Sequence, residues 1–230
     1  MRHTPNAVMI FAAGFGTRMK ELTQDRPKPL IPVAGRPLID HALDLVDDAN
    51  IALRVANVHY KPEPLVQHLT ARDVVISDET HAILETGGGL KKARALLHDA
   101  PVFTMNSDAV FRGPNPFETL RTAWDSDRMS ALLLLIPIAQ ARGTLSNGDF
   151  QVDADGRLSR GPGLIYSGIQ IIDPSAVDPV EDTAFSLNVV WNRLAAEDRL
   201  FGVAYDGQWC DVGHPSGIAL AESLLAAPDV

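Results

Sequence analysis

At 230 residues and 46% hydrophobic, the chain can bury one substantial core but is short for two independent domains. Its net charge of -9 and pI near 5.1 argue against nucleic acid or an anionic membrane as partner, because the average field repels phosphate backbones, so any phosphate must be met locally by a few placed cations. The lone Cys210 excludes an internal disulfide framework and a multi-cysteine zinc site, which suits a reducing cytoplasm, and the longest apolar run, residues 131–138, is far short of the roughly 20 residues that span a bilayer.

In chain order, residues 7–12 read as a buried strand ending in a glycine-containing loop. Residues 36–49 carry Leu38, Ile39, Ala42, Leu43, Leu45 and Val46 at helical spacing. A strand follows at 51–58, a helix at 64–70 and a strand at 73–77. Residues 87–98 read as a helix with a glycine-rich start, and 101–105 as a strand ending at Asn106, Ser107 and Asp108. A helix at 116–124 and a strand at 129–138 complete an alternation expected of an α/β fold with a doubly wound, mainly parallel mixed sheet.

After residue 139, turns rich in Gly, Asp and Arg separate short strands at 150–152, 157–159 and 164–172. A helix at 185–196, a strand at 200–205 and a helix at 215–226 close the chain. The expectation is one domain over 1–230, with a larger lobe at 1–139 and a smaller mixed α/β lobe at 140–230 covering the carboxyl edge of the sheet.

The first chemical signal is Ala12-Ala13-Gly14-Phe15-Gly16-Thr17-Arg18, directly after the first strand. Glycines there let backbone N–H groups approach an anion, and Arg18 offers a planar fork of donors to phosphate oxygens. It is not the dinucleotide fingerprint, since Met19 replaces the third glycine and the second strand closes on Asn57-Val58 without an acid. Nor is it a P-loop, because no Gly-Lys-Ser/Thr follows. Gly-x-Gly alone fits an ordinary strand-to-helix turn equally well. The segment 26–38, Arg-Pro-Lys-Pro-Leu-Ile-Pro-Val-Ala-Gly-Arg-Pro-Leu, tips the balance: prolines on both sides hold Lys28 in an extended, low-entropy stretch.

The glycine loop ending in Thr-Arg, then Pro-Lys-Pro-Leu and Pro-Val-x-Gly-x-Pro-Leu, resembles the signature of the sugar-phosphate nucleotidyltransferases. The resemblance implies a Rossmann-like fold with a nucleotide-binding lobe and a sugar-phosphate-binding lobe. It implies that Ala12, Ala13, Gly14, Gly16 and Thr17 wrap a triphosphate. Arg18 and Lys28 become the catalytic cations, with Arg18 on the phosphates and Lys28 at the α-phosphate and the incoming sugar phosphate.

Three glycines in Leu84-Glu85-Thr86-Gly87-Gly88-Gly89 cost helix stability unless something must come close to the backbone. By the resemblance, Thr86, Gly87 and Gly88 meet the nucleobase. Asp108 lies beyond the carboxyl end of a strand, where open α/β sheets bind ligands, and a carboxylate there suits Mg²⁺. The family's Asn-Gly-Asp is here Asn106-Ser107-Asp108, which keeps Asn106 at the nucleotide and Asp108 as a metal ligand. Asp211, in Trp209-Cys210-Asp211-Val212-Gly213, matches the family's Trp-x-Asp-x-Gly element and is the second expected ligand. Cys210 reads as packing.

On the sugar side, Asn147-Gly148-Asp149-Phe150 and Tyr166-Ser167-Gly168-Ile169 resemble elements that approach the sugar phosphate, which marks Asp149, Tyr166, Ser167 and Gly168. A Glu-Lys-Pro element carried by larger members is replaced by Gly161-Pro162-Gly163, so sugar recognition should differ from that of glucose 1-phosphate enzymes. The seven histidines show no metal-ligand spacing.

The resemblance thus implies a Mg²⁺-dependent cytoplasmic enzyme, a monomer or small homo-oligomer. It joins a nucleoside triphosphate to a sugar 1-phosphate and releases pyrophosphate. The short chain and its motifs favour UTP and N-acetylmuramate 1-phosphate, as in cell-wall peptidoglycan recycling, over mannose 1-phosphate with GTP or glucose 1-phosphate with UTP or dTTP. An NAD-dependent oxidoreductase lacks its two defining features here, and a silent nucleotide-binding module would be expected to have lost Lys28, Asp108 or Asp211.

Overall fold

The computed structural model describes residues 4–98 and 100–227. They form β1 (Ala7–Phe11), a 3-10 helix at Thr17–Thr23, a minimal hairpin of β2 (Pro32–Val33) and β3 (Arg36–Pro37), and α1 (Leu38–Asp48). Next come β4 (Leu53–Val58), α2 (Pro62–Thr70), β5 (Val75–Asp78), α3 (Glu85–Ala93), β6 (Val102–Asn106), β7 (Ala109–Arg112), α4 (Pro116–Ala123) and β8 (Ala131–Ile136). The second half adds β9 (Ala141–Arg142), β10 (Phe150–Val152), β11 (Leu158–Arg160), β12 (Ile165–Ile172), α5 (Leu187–Ala196), β13 (Leu200–Ala204), β14 (Gln208–Asp211) and α6 (Pro215–Ala226).

A strand buried on both faces needs apolar residues throughout, and period-2 geometry then splits them between two cores. In β1, Val8 and Ile10 join one core with α1 and α4, while Ala7 and Met9 join the other with α3 and α5. The all-apolar β8 divides likewise, Leu132, Leu134 and Ile136 to the first and Ala131, Leu133 and Leu135 to the second. Helices on both faces make the sheet doubly wound, as the alternation of elements predicts.

The sheet has seven strands in the order β13-β8-β12-β6-β1-β4-β5. β1 runs parallel to β4 and β6, β4 to β5, and β13 to β8, whereas β12 is antiparallel to both of its neighbours. Two strands from beyond residue 139 are therefore integral to the main sheet, and residue 139 is not a sheet boundary. The sequence reading put the second half over the sheet's edge; runs as apolar as those of β12 and β13 are instead drawn into the sheet. The antiparallel sense has a consequence for chemistry. Ile169 is in register with Met105, which sets the start of β12 beside the carboxyl end of β6.

A smaller sheet, β7-β14-β9, leans on a third core of Met19, Ile31, Val33, Val110, Cys210, Val212, Ala221 and Leu224. This core fixes the end of β14 relative to the 3-10 helix that carries Arg18. Short β7, β9 and β14 escape the sequence reading because segments of two to four residues carry almost no periodicity. No helix among the described residues is long and apolar enough to cross a membrane.

Candidate active site

The carboxyl ends of β1 and β6 are tied together, since the Ser107 N–H and hydroxyl both donate to the Phe11 carbonyl, at 3.3 and 2.8 Å. That sets the glycine loop beside Asp108. Gly16 adopts a left-handed conformation, φ 64°, and a Cβ there would lie 2.8 Å from Cβ of Lys28. A glycine is thus required both by the turn and by the approach of the lysine segment. At Gly14 a Cβ would meet nothing within 4 Å, so the backbone faces open space that a ligand can enter.

Lys28 is only 8% exposed, and its Nζ donates to Oδ2 of Asp108 at 2.7 Å. Asp211 sits beside this pair. Burial, with the negative charge of Asp108 next, pushes its carboxyl up to about 6, opposed by Lys28, Arg18 and His214. At Gly213 a Cβ would lie 2.6 Å from Oδ2 of Asp211 and 3.2 Å from Nη1 of Arg18, so the glycine is what lets acid and guanidinium stand at one place. Val212 N donates to the Asp108 carbonyl at 2.9 Å, locking the two acidic segments together. Cys210 is fully buried, and burial drives its thiol up to about 11, in keeping with a packing role.

A cavity of about 220 Å³ opens over the glycine loop, with Ala12, Ala13, Gly14, Lys28, Thr86 and Asp108 in its lining. Its back wall holds two residues that the sequence reading did not single out. The Ala12 N–H donates to Oδ1 of Asn57 at 2.8 Å, and Asn57 Nδ2 donates to Oε1 of Glu79 at 2.9 Å. Glu79 is 1% exposed, its Oε2 has no hydrogen-bond partner, and burial raises its carboxyl above the ordinary range. A buried oxygen without a protein partner on a cavity wall is a place for a water or a ligand donor. Nothing in the sequence marks Glu79 except an acid just past a strand, a common turn residue.

Two of the three helix glycines are accounted for by packing. The N–H groups of Gly87 and Gly88 both donate to the Phe185 carbonyl, at 2.8 and 3.1 Å. A Cβ would strike the Phe185 ring from Gly87 at 2.3 Å, and the Thr183 carbonyl from Gly88 at 2.2 Å. Gly87 and Gly88 therefore stand behind the cavity lining, whereas Thr86 and Glu85 are in it. Glu85 is a non-glycine residue at φ +57°, an uncommon conformation that clusters at functional sites.

A second cavity, of about 290 Å³, shares Phe11, Thr86 and Asn106 with the first and is also lined by Asp149 and Tyr166. A third, of about 250 Å³, brings together Arg18, Asn106, Asp108, Ser167, Gly168 and Asp211. Asn106 thus belongs to all three. Asp149 is held by its Oδ2, which accepts from Tyr166 N at 2.9 Å, and Ser167 caps its own turn by accepting from Ile169 N. Among the sequence-marked residues, Thr17 and Gly16 shape the loop without lining these cavities.

Two carboxylates at the edge of a cavity, one paired to a lysine and one made proton-hungry by burial and its neighbour, form a donor set that a divalent cation would relieve. No group of three or more His, Cys, Asp or Glu side chains suited to a metal exists among the described residues. Two carboxylates alone suit an ion such as Mg²⁺, which takes one or two carboxylates and fills its shell with water and phosphate oxygens.

Comparison with known proteins agrees with this geometry. The MobA-like NTP transferase domain matches residues 8–141. The N-acetylmuramate alpha-1-phosphate uridylyltransferase of Caulobacter vibrioides is 41% identical, over 98% of this chain and 99% of that protein. The enzyme of the same name from Neisseria meningitidis serogroup B is 30% identical, over 95% and 98%. Among solved structures, HddC from Yersinia pseudotuberculosis, complexed with GMP-PN, superposes with a TM-score of 0.76 over 94% of this chain and 98% of that one, at 18% identity. The chain belongs to the MobA-like NTP transferase family and, within it, to the sugar 1-phosphate nucleotidyltransferases.

Proposed function

We propose that the protein transfers a uridylyl group from UTP to N-acetylmuramate 1-phosphate, in the cytoplasm and with Mg²⁺, forming the UDP-sugar and pyrophosphate. The observation that carries this reading is the convergence of Arg18, Lys28, Asp108 and Asp211, from four separated segments, at the junction of the cavities. Full-length identity to two uridylyltransferases of that name supports the choice of substrates.

A phosphate oxygen of the sugar phosphate attacks the α-phosphorus of the triphosphate in line. The new O–P bond forms as the bond from the α-phosphorus to the bridging oxygen breaks, and that oxygen leaves with pyrophosphate. The attacking oxygen is already ionised, so no general base is needed, and catalysis rests on positioning and charge compensation. The Ala12–Gly16 backbone and Thr17 take the triphosphate, with Arg18 on its oxygens. Lys28 turns from Asp108 to the α-phosphate and holds it against the incoming sugar phosphate. Asp108 and Asp211 would hold Mg²⁺, which supplies positive charge to the phosphate oxygens and the departing pyrophosphate. Thr86, with Glu79 behind it, faces the base, while Gly87 and Gly88 let α3 pack close. Asn106 spans the two substrates, and Asp149, Tyr166, Ser167 and Gly168 form the sugar-phosphate side.

Pyrophosphate release measured for UTP, GTP, CTP and dTTP against N-acetylmuramate, mannose and glucose 1-phosphates tests the reading. Turnover concentrated at UTP with N-acetylmuramate 1-phosphate is expected. Dominant turnover of GTP with mannose 1-phosphate would replace it.

A further inference from the structure

The second cavity contains a feature that the transfer chemistry does not use. Arg160 lies in its lining, at the end of β11 and just before Gly161-Pro162-Gly163. Its Nε donates to Oδ1 of Asn192 at 3.1 Å and one Nη2 hydrogen to Oδ1 of Asn188 at 2.6 Å, two acceptors one turn apart on α5. The guanidinium stands 4.4 Å from the centroid of Phe150 and 5.6 Å from that of Trp191, so its plane is braced by rings as well as by amides.

Both acceptors are neutral. Arg36, Arg54, Arg72, Arg157 and Arg193 each meet a carboxylate, whereas Arg160 has no ion-pair partner among the described residues. Asp149 acts on it only through space and gives its Oδ2 to Tyr166 N. The asparagines occupy the side edge of the guanidinium. The end-on edge, Nη1 with the second Nη2 hydrogen, is left for two parallel bonds to a planar anion, and a carboxylate matches that spacing.

Resting on the reading of N-acetylmuramate 1-phosphate as acceptor, we propose that Arg160 is a specificity-determining residue that binds the carboxylate of the sugar acid. N-acetylmuramate is N-acetylglucosamine with a lactyl ether on its 3-oxygen, and the carboxylate of that ether is the only group that separates the two sugars in charge. The phosphate end of the acceptor lies at Asn106, which the second cavity shares with the cavity lined by Lys28 and the one lined by Arg18. The lactyl group extends away from the reacting phosphorus to Arg160, Asn188 and Asn192. Neutral hexose phosphates leave the cation without an anion and gain nothing from it.

The test is kcat/KM with UTP for N-acetylmuramate and N-acetylglucosamine 1-phosphates in wild type, Arg160→Met and Arg160→Lys. The ratio of the two sugars cancels any loss of folded protein. In wild type the ratio favours the muramate, and Arg160→Met collapses it by roughly 10- to 100-fold, chiefly through the KM of the muramate, as expected for a lost charge-assisted pair. Arg160→Lys restores part of the ratio, because a point charge replaces the fork. A ratio that survives Arg160→Met overturns the assignment and leaves the proposed acceptor standing. Equal losses for both sugars overturn it as well, by assigning Arg160 to something they share. A wild type that ignores the muramate while turning over another sugar phosphate overturns the acceptor reading and this assignment with it.

Discussion

The proposed phosphate side and the proposed sugar side of the site meet at Asn106 but handle charge in opposite ways. On the phosphate side, Asp108, Asp211, Lys28 and Arg18 compensate one another, with Lys28 and Asp108 2.7 Å apart and Asp211 pushed up to about 6. On the sugar side, Arg160 is propped by neutral asparagines and rings. A balanced cluster can exchange partners as phosphates and a cation arrive, which suits the proposed reaction. An oriented charge without an ion-pair partner answers to a ligand of opposite sign, which suits the proposed selection.

The comparison predicts where substitutions act. Asp108→Asn removes both the partner that positions Lys28 and one of the two proposed cation ligands. The expected outcome is a loss of ~10³-fold in kcat, read by pyrophosphate release, with little change in the sugar ratio. Retention of kcat within a few-fold would break the division of labour.

Asp211→Asn is expected to cost ~10²-fold or more in kcat while stabilising the ligand-free protein. The folded carboxyl titrates near 6 and an unfolded one near 3.8, so the folded state holds its proton more tightly. The contribution of Asp211 to ligand-free stability therefore falls as pH rises from about 4 to about 6 and is level above. At pH 7.5 the asparagine should recover about 1–2 kcal/mol after solvent screening, measured by denaturant unfolding. The same proton competes with a cation, so the Mg²⁺ needed for half-maximal rate should rise as pH falls below about 6.

Gly213→Ala puts a methyl 2.6 Å from Oδ2 of Asp211 and displaces that flexible carboxylate. The expected loss is roughly 10- to 100-fold in kcat, the scale of a small misplacement of a reacting group, with the melting temperature nearly constant. The smallest effect belongs to the back wall. Glu79→Gln keeps an acceptor for Asn57 and removes a buried charge with an orphan oxygen. Unfolding at pH 8 should show a gain within about 1 kcal/mol. A destabilisation would mean that Glu79 has a donor from a neighbour in solution.

The same contrast explains what the sequence disclosed. The glycine loop is local: the φ of Gly16 and the room at Gly14 follow from residues adjacent in the chain. Lys28, expected in an extended stretch, instead opens a 3-10 turn at Lys28–Leu30, and its ammonium is held by Asp108, 80 positions away. The strands and helices of the first half are legible because their periodicity is long and unbroken. The role of Gly87 and Gly88 is not, since it depends on Phe185, nearly a hundred positions away, closing on α3. The place of β12 in the main sheet is equally non-local, because an antiparallel strand joins a parallel sheet through pairing that composition does not encode. Glu79 and Arg160 are common residue types at the ends of strands, and only the lack of an expected partner in three dimensions marks them.

If Asp108 and Asp211 form one cation site completed by the triphosphate, each must contribute to cation affinity. Binding of Mn²⁺ in the presence of UTP can be followed by electron paramagnetic resonance in wild type, Asp108→Asn and Asp211→Asn. A bound signal in wild type that weakens more than 10-fold in each variant is expected for one lost carboxylate ligand. Equal binding in all three proteins would rule out the shared site.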